Sequence, residues 1–194
     1  MDLHLNGKRV LITGGSRGIG LAAAESFAEE GCHVHLAARD KSELEEAADR
    51  IRGQFGIKVV IHVVDLSLTS DVQRLANEAG EIDILINNAG DIPVGSIVNV
   101  SDTLWRKSWD LKVFGYINLT RLIYARMKAR GAGVIINDIG ASGERPDFDY
   151  VVGSSANAAL MALTKALGGR SLEDGVRVVG VIQVLWRPIE LFRS

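Results

Sequence analysis

Residues 8–20 read Lys-Arg-Val-Leu-Ile-Thr-Gly-Gly-Ser-Arg-Gly-Ile-Gly, which is the most informative segment of the chain. It begins as a short apolar run behind two charges, which is typical of a buried strand. It then breaks into glycines and continues as the Ala-rich segment 21–30, which has strong helix propensity. Glycine lets the backbone approach a ligand, and the first amides of a helix attract anions. The order of elements predicts a phosphate site, although an ordinary strand-to-helix turn fits the glycines alone equally well.

Strand and helix patterns alternate along the rest of the chain. Strands are predicted at 33–38, 58–64, 82–87, 134–139 and 176–184, and helices at 42–54, 70–79, 101–129 and 153–172. Six strands alternating with helices predict an α/β fold with a single doubly wound parallel sheet, covered on both faces. Ligands of such folds bind at the carboxyl ends of the strands, where the strand order reverses. No linker or repeat divides residues 1–181, which we predict to be one domain.

Composition narrows the function classes. The 24 acidic and 22 basic residues are interspersed, so no nucleic-acid partner is expected. The single cysteine, Cys32, cannot form an internal disulfide, which fits a reducing compartment, and we expect it to be a small buried residue near a strand. The N-terminus lacks a signal-peptide layout, and no apolar run reaches the roughly 18 residues of a membrane helix. We predict a soluble cytoplasmic protein with no metal site and no membrane partner.

Two motifs identify a family resemblance. The string Thr-Gly-Gly-Ser-Arg-Gly-Ile-Gly at 13–20 and the string Asn-Asn-Ala-Gly at 87–90 together resemble the short-chain dehydrogenase/reductase family. The resemblance implies a Rossmann fold that binds a nicotinamide dinucleotide. It also implies that Asp65, which follows the third strand, contacts the adenine, although a turn role at the next helix is the alternative. The nucleotide site implied in this way comprises Gly14, Ser16, Arg17, Gly18, Ile19, Gly20, Arg39, Asp65, Leu66, Asn87, Ala89 and Gly90.

The choice between NADP and NAD is predicted from charge. An acid at the end of the second strand usually holds the ribose 2′-hydroxyl of NAD, whereas NADP needs a cation for its phosphate. Here Ala38 stands at that position and is followed by Arg39. Arg39 and Arg17 could form a fork around a 2′-phosphate, because guanidinium groups suit phosphate geometry. We therefore expect NADP, with NAD possible, and Asp40 remains an alternative helix cap.

The catalytic residues depart from the family pattern. The family uses a tyrosine, a lysine four residues later, a serine upstream and an asparagine on the long helix. Overlaying the motifs places different residues at all four positions, namely Gly153 at the tyrosine, Asn157 at the lysine, Gly140 at the serine and Lys112 at the asparagine. Lysine and asparagine have thus exchanged places.

Two interpretations of this exchange stay open. In the first, a rearranged set transfers hydride between the nicotinamide and a small carbonyl or secondary alcohol. Tyr150 would then be the acid, Lys112 its electrostatic partner, Ser142 the residue that orients the substrate and Asn157 a ribose ligand. In the second, the protein binds the dinucleotide without turnover and serves as a sensor, scaffold or assembly partner. The family also implies a homodimer or homotetramer formed through helices 101–129 and 153–172.

The C-terminal stretch departs from the family as well. After the sixth strand the family continues with Asn-Pro-Gly, a substrate loop and a seventh strand. Residues 181–190 here read Val-Ile-Gln-Val-Leu-Trp-Arg-Pro-Ile-Glu. With one choice of codons and one restored nucleotide, they become Val-Asn-Pro-Gly-Pro-Val-Ala-Thr-Asp-Arg. We therefore hypothesise that 182–194 is an aberrant, frameshifted tail and that the sheet lacks the family's C-terminal strand, which sequencing of the source gene would test.

Overall fold

A parallel sheet of six strands forms the centre of the computed structural model, which describes residues 3–183. The strands are β1 (Arg9–Thr13), β2 (His33–Ala38), β3 (Val59–Val63), β4 (Ile84–Asn87), β5 (Gly133–Gly140) and β6 (Val176–Gln183). Their order is β3-β2-β1-β4-β5-β6, and every neighbouring pair is parallel. The predicted doubly wound α/β sheet is confirmed.

Residues 3–183 form six α-helices, which are α1 (Gly18–Glu29), α2 (Lys41–Phe55), α3 (Thr69–Ala79), α4 (Asp102–Trp109), α5 (Gly115–Arg130) and α6 (Val151–Gly168). The helix predicted over 101–129 is interrupted by a π turn at Asp110–Phe114, which separates α4 from α5. The helix predicted over 153–172 is also corrected, because it begins at Val151 and ends at Gly168, and a 3₁₀ turn follows at Ser171–Asp174. Glycine disfavours helix propagation, and two glycines in succession at 168–169 explain the earlier end.

The side chains of β1 show how the sheet separates two apolar layers. Leu11 packs into the layer beneath α3 and α5, whereas Val10 and Ile12 pack into the layer beneath α1 and α2. Successive strand residues point to opposite faces, so one apolar run supplies both layers. Cys32 is buried beside the start of β2, and burial raises the pKa of its thiol to about 11. The thiol is therefore protonated near neutral pH and does not act as a nucleophile there.

The strand order reverses between β1 and β4, and this point is cross-linked by polar contacts. The amide of Asn88 donates to Thr13 Oγ1 at 2.9 Å. The Asn88 side chain donates to the carbonyl oxygens of Thr13 at 2.9 Å and Gly14 at 3.1 Å. These bonds hold the turn after β1 against the end of β4, where a doubly wound sheet opens a crevice for ligands.

The last described strand bears on the predicted tail. β6 pairs with β5 as far as the match of Gly140 with Gln183, so residues 182–183 extend the sheet. Residues 184–194, which hold most of the hypothesised frameshift product, lie outside the described residues. None of the described helices is both long and apolar enough to span a bilayer.

A buried histidine pair lies at the β2–β3 side of the sheet. The rings of His35 and His62 stack, and His35 Nδ1 lies 3.0 Å from His62 Nε2. Burial lowers the pKa of His35 to about 4 and also lowers the pKa of His62. His62 Nδ1 lies 3.5 Å from the Glu78 carboxylate, which only partly opposes this effect. Both rings are therefore neutral near pH 7.

We expect this pair to make the protein sensitive to acid. The pKa of His35 is about 4 in the folded protein and near 6.5 in the unfolded chain. The contribution of His35 to the free energy of unfolding is therefore complete above pH 6.5 and is lost as the pH falls toward 4. The free energy of unfolding should fall by about 2 kcal/mol between pH 7.5 and pH 5. Urea titrations at both pH values measure this loss, and the His35→Leu/His62→Leu variant should show a flatter profile. A wild-type profile that is flat down to pH 5 would contradict the prediction.

Candidate functional site

A cavity of about 1320 Å³ opens at the carboxyl ends of the central strands. Its walls come from the turn after β1, the end of β2, the segments after β4 and β5, the π turn and α6. Twelve residues predicted for the site line it, namely Gly14, Ser16, Arg17, Ile19, Arg39, Leu66, Ala89, Gly90, Lys112, Ser142, Tyr150 and Asn157. The structure thus brings eight of the twelve predicted nucleotide residues and all four predicted catalytic residues to one cavity.

The start of α1 fits an anionic ligand. Gly14 and Gly18 have positive φ values of 64° and 58°, and a Cβ on Gly18 would meet nothing within 4 Å. A Cβ on Gly20 would instead collide with the carbonyl oxygen of Gly14, so only glycine lets the helix begin this close to β1. No described side chain caps α1, and its first turn holds no acidic residue. The first amides of the helix are therefore open to a phosphate group.

Two predicted nucleotide residues turn away from the cavity. Asn87 lies buried within the sheet and donates to Thr120 Oγ1 at 3.0 Å and to Asn137 Oδ1 at 2.9 Å. The Asp65 carboxylate accepts hydrogen bonds from the amide and hydroxyl of Ser67, which is the turn role left open above. Neither residue lines the cavity, because strand alternation and a local turn direct their side chains elsewhere, and their contacts with the cofactor stay predictions.

Asn88, which sequence reasoning left out, lines the cavity and holds the glycine turn in place. The signal was present, because it belongs to the same Asn-Asn-Ala-Gly string at 87–90. Neighbouring strand residues point to opposite faces, and only the position of the strand end shows which of the two asparagines reaches the turn.

Both arginines of the predicted fork line the cavity, and both are paired with acids. Arg17 Nη1 lies 3.3 Å from Glu43 Oε1, and Arg39 Nη2 lies 3.4 Å from Asp91 Oδ2. Asp40 caps α2, because its carboxylate accepts from the amide of Glu43. Hydrogen bonds to the Asp40 carboxylate lower its pKa, so the cap is ionised near neutral pH. Asp40 thus has the helix-cap role considered above.

Lys112 is buried on the π turn, and its side chain reaches the cavity wall. Its Nζ lies 3.4 Å from Tyr116 Oη and 3.4 Å from the carbonyl oxygen of Asp138. Burial lowers the pKa of the Lys112 ammonium, and the nearby Asp138 opposes this effect. Within residues 3–183 no hydrogen bond joins Lys112 to Tyr150. An electrostatic effect of Lys112 on Tyr150 would therefore act across the cavity, without direct contact.

Asp138, near the end of β5, is a further cavity residue that sequence reasoning missed. It is buried and lines the cavity, and burial raises the pKa of its carboxyl while the Lys112 ammonium opposes the rise. The neighbouring Asn137 points to the other face of the sheet and donates to Thr164. Alternation along a strand of known register would have identified Asp138, but the sequence alone does not show which face of β5 carries the cavity.

Tyr150 precedes α6, and its ring covers Gly153. A Cβ on Gly153 would collide with three ring carbons of Tyr150. Gly95, in the segment after β4, forms a parallel bridge with Tyr150 and holds its backbone. Burial raises the pKa of the phenol. The Tyr150 side chain thus occupies the space into which a side chain at position 153 would project.

Asn157 likewise occupies the space into which a side chain at Gly140 would project. The Asn157 side chain accepts from the amide of Gly140 at 3.0 Å and donates to Ser142 Oγ at 2.9 Å. A Cβ on Gly140 would lie 2.8 Å from Asn157 Nδ2, so a side chain there would displace the amide. Ser142 accepts from Asn157, which leaves its hydroxyl proton for another acceptor.

Comparison with known proteins identifies similar chains. The family described as short chain dehydrogenase matches residues 8–184. An uncharacterized oxidoreductase of Bacillus subtilis is 32% identical over 187 residues, which cover 94% of this chain and 70% of the relative. The human dehydrogenase/reductase SDR family member 4 is 33% identical over 182 residues, which cover 90% of this chain and 64% of the relative.

Solved structures are similar as well. The L-sorbose reductase of Gluconobacter frateurii, complexed with NADPH and L-sorbose, matches with a TM-score of 0.89 and 36% identity, over 93% of this chain and 70% of that one. A short-chain dehydrogenase from Sphingobium yanoikuyae in complex with NADPH matches with a TM-score of 0.88 and 31% identity, over 93% and 72%.

Proposed function

The chain belongs to the short-chain dehydrogenase/reductase family of oxidoreductases, and we propose that it is an NADP(H)-dependent reductase of a small carbonyl compound, or a dehydrogenase that oxidises the corresponding alcohol with NADP. When bound, the cofactor supplies the hydride or takes it up. The first amides of α1, the glycine turn at 14–20 and Arg39 would hold the cofactor. NADPH in two similar structures and the two arginines lining the cavity support NADP over NAD.

The observation that carries the proposal is the coupling of each displaced side chain to a glycine. Tyr150 fills the space over Gly153, and Asn157 fills the space beside Gly140. Polar side chains of both pairs also line the cavity, which supports a rearranged set rather than plain packing.

The roles in this set follow from charge and hydrogen-bond capacity. The Tyr150 hydroxyl would donate a proton to the carbonyl oxygen. The buried Lys112 ammonium would stabilise negative charge that develops on that oxygen, since charge acts more strongly where water is excluded. Ser142 would orient the substrate with the hydroxyl proton that Asn157 leaves unused. Asn157 would mainly position Ser142 and the Gly140 backbone through its hydrogen bonds. It would also contact the cofactor ribose.

The second candidate function is dinucleotide binding without turnover, as a sensor or scaffold. It is favoured by the raised pKa of Tyr150, which lacks a bonded cation among the described residues. A calorimetric titration with NADPH followed by a screen of carbonyl compounds separates the two. Binding together with oxidation of NADPH supports the reductase. Binding without oxidation across the screen supports the sensor, and absence of binding for both NADPH and NADH overturns both candidates.

We predict that Gly20→Ala weakens NADPH binding by about tenfold or more, because the new methyl group pushes the start of α1 away from Gly14. Calorimetry measures the dissociation constant, and circular dichroism checks that the fold is kept. The matched control is Gly53→Ala in α2, where a Cβ meets nothing within 4 Å and helix propensity improves. Equal binding by both variants would contradict the role of the glycine turn.

We also propose a cytoplasmic homodimer or homotetramer that pairs through α4, α5 and α6. Leu104 on α4 and Phe114 on the π turn are 41% and 48% exposed, which supplies apolar area for such a contact. Sedimentation velocity tests the oligomeric state directly.

A further inference from the structure

Glu43, on the first turn of α2, contacts the glycine turn of the proposed cofactor site. Ser16 Oγ donates to Glu43 Oε2 at 2.9 Å, and Arg17 Nη1 lies 3.3 Å from Glu43 Oε1. Both carboxylate oxygens are therefore engaged by the glycine turn after β1. All three side chains line the cavity, and the Glu43 side chain is 37% exposed.

These contacts place a negative charge beside the groups that would receive a 2′-phosphate. Arg39 and Ala38, at the end of β2, line the same cavity as Arg17 and Ser16. A hydroxyl and a guanidinium that each bind one oxygen are also the donors that bind phosphate oxygens well. The Glu43 carboxylate thus makes the contacts that a phosphate group would make there.

We propose that Glu43 determines the discrimination between 2′-phosphorylated and unphosphorylated dinucleotides, an inference that rests on the proposed function. A 2′-phosphate must replace the carboxylate on Arg17 and Ser16 and tolerate its negative charge nearby. A cofactor without this phosphate leaves the carboxylate in place. Glu43 therefore weakens binding of NADPH selectively, and the protein exchanges one ion pair for another when the phosphate binds.

The test compares wild type with Glu43→Gln, which keeps hydrogen-bonding capacity and removes the charge. Dissociation constants are measured for NADPH, NADH, 2′,5′-ADP and 5′-ADP. Glu43→Gln should tighten NADPH and 2′,5′-ADP roughly three- to tenfold and change NADH and 5′-ADP by less than about twofold. The matched control is Glu46→Gln, because Glu46 is exposed on the same helix and this substitution changes the net charge by the same amount. It should leave all four constants unchanged.

Salt provides a second measurement. The advantage of Glu43→Gln over wild type for 2′,5′-ADP should shrink as salt is raised, because exposed charges are screened. A purely structural role for Glu43 would change all four ligands alike, and that result overturns the inference. Weaker NADH with unchanged NADPH also overturns it, since Glu43 would then hold a ribose hydroxyl. In both results the wild-type protein still binds the dinucleotides, whereas failure of the proposed function would appear as no binding of either dinucleotide to wild type.

Discussion

Tyr150→Phe is expected to lower carbonyl reduction by about 10²- to 10⁴-fold, the usual contribution of a positioned proton donor. The change removes only the hydroxyl. The phenyl ring still covers Gly153, so the packing of α6 and the shape of the cavity are kept. NADPH binding should therefore stay close to the wild-type value, and the loss should appear in kcat rather than in cofactor affinity.

Steady-state rates with the best carbonyl compound from the screen, measured together with NADPH titrations, test this prediction. The control is Tyr124→Phe, which removes a hydroxyl that donates to Asp174 at 2.7 Å outside the cavity. It should keep full turnover. Wild-type rates in Tyr150→Phe would remove Tyr150 from the reaction and leave the rearranged set without its acid.

Lys112→Met should produce the second large loss, a fall in kcat of about 10²-fold or more, because it removes the charge that we propose stabilises the developing oxyanion. Methionine has a similar length and keeps the apolar packing against Gly90, where a Cβ would lie 3.0 Å from the lysine stem. Among the described residues, the ammonium donates to Tyr116 Oη and to the backbone carbonyl oxygen of Asp138. Burial of the ammonium is costly, and its attraction to the nearby Asp138 carboxyl offsets part of that cost, so folding stability at pH 7 should change little.

A pH series sharpens this test. Burial lowers the pKa of Lys112 below its ordinary value of 10.5, so its charge is lost earlier as the pH rises. Wild-type reduction should decline as the pH rises through that lowered pKa, and wild-type stability should increase over the window between it and 10.5. Both changes should be absent in Lys112→Met. The control is Lys165→Met on the exposed side of α6, which should retain the wild-type profile, and identical profiles for all three proteins would contradict the role of Lys112.

The cofactor half of the site was predictable from the sequence to a greater depth than the catalytic half. The glycines at 14, 18 and 20 indicate the backbone geometry of the turn. Only glycine readily adopts the positive φ at 14 and 18 and allows the close approach at 20. Asn87 was predicted from the same kind of string, yet its neighbour Asn88 makes the contacts with the turn. A sequence motif indicates that a site is present, whereas the register of the strand decides which of two adjacent residues reaches that site.

The catalytic half depends on which side chain enters which space. Tyr150 was a candidate by sequence proximity, but only the path of the segment after β5 brings its ring over Gly153. Asp138 and Glu43 went unnoticed because acids are common and neither stands in a motif. Asp138 stands out in the structure because it is buried beside Lys112, and Glu43 because it accepts a hydrogen bond from Ser16.

Apolar periodicity and glycine geometry are local properties of the chain, so the α/β class, the alternation of elements and the glycine turn could be predicted without the structure. The positions of the displaced side chains and the pairing of charges depend instead on how the helices and strands pack together. Arg17 and Glu43 are 26 residues apart and Lys112 and Asp138 are also 26 apart, so their contacts exist only once the helices have packed on the sheet. Charge and burial act through distance in space, which the order of residues does not record.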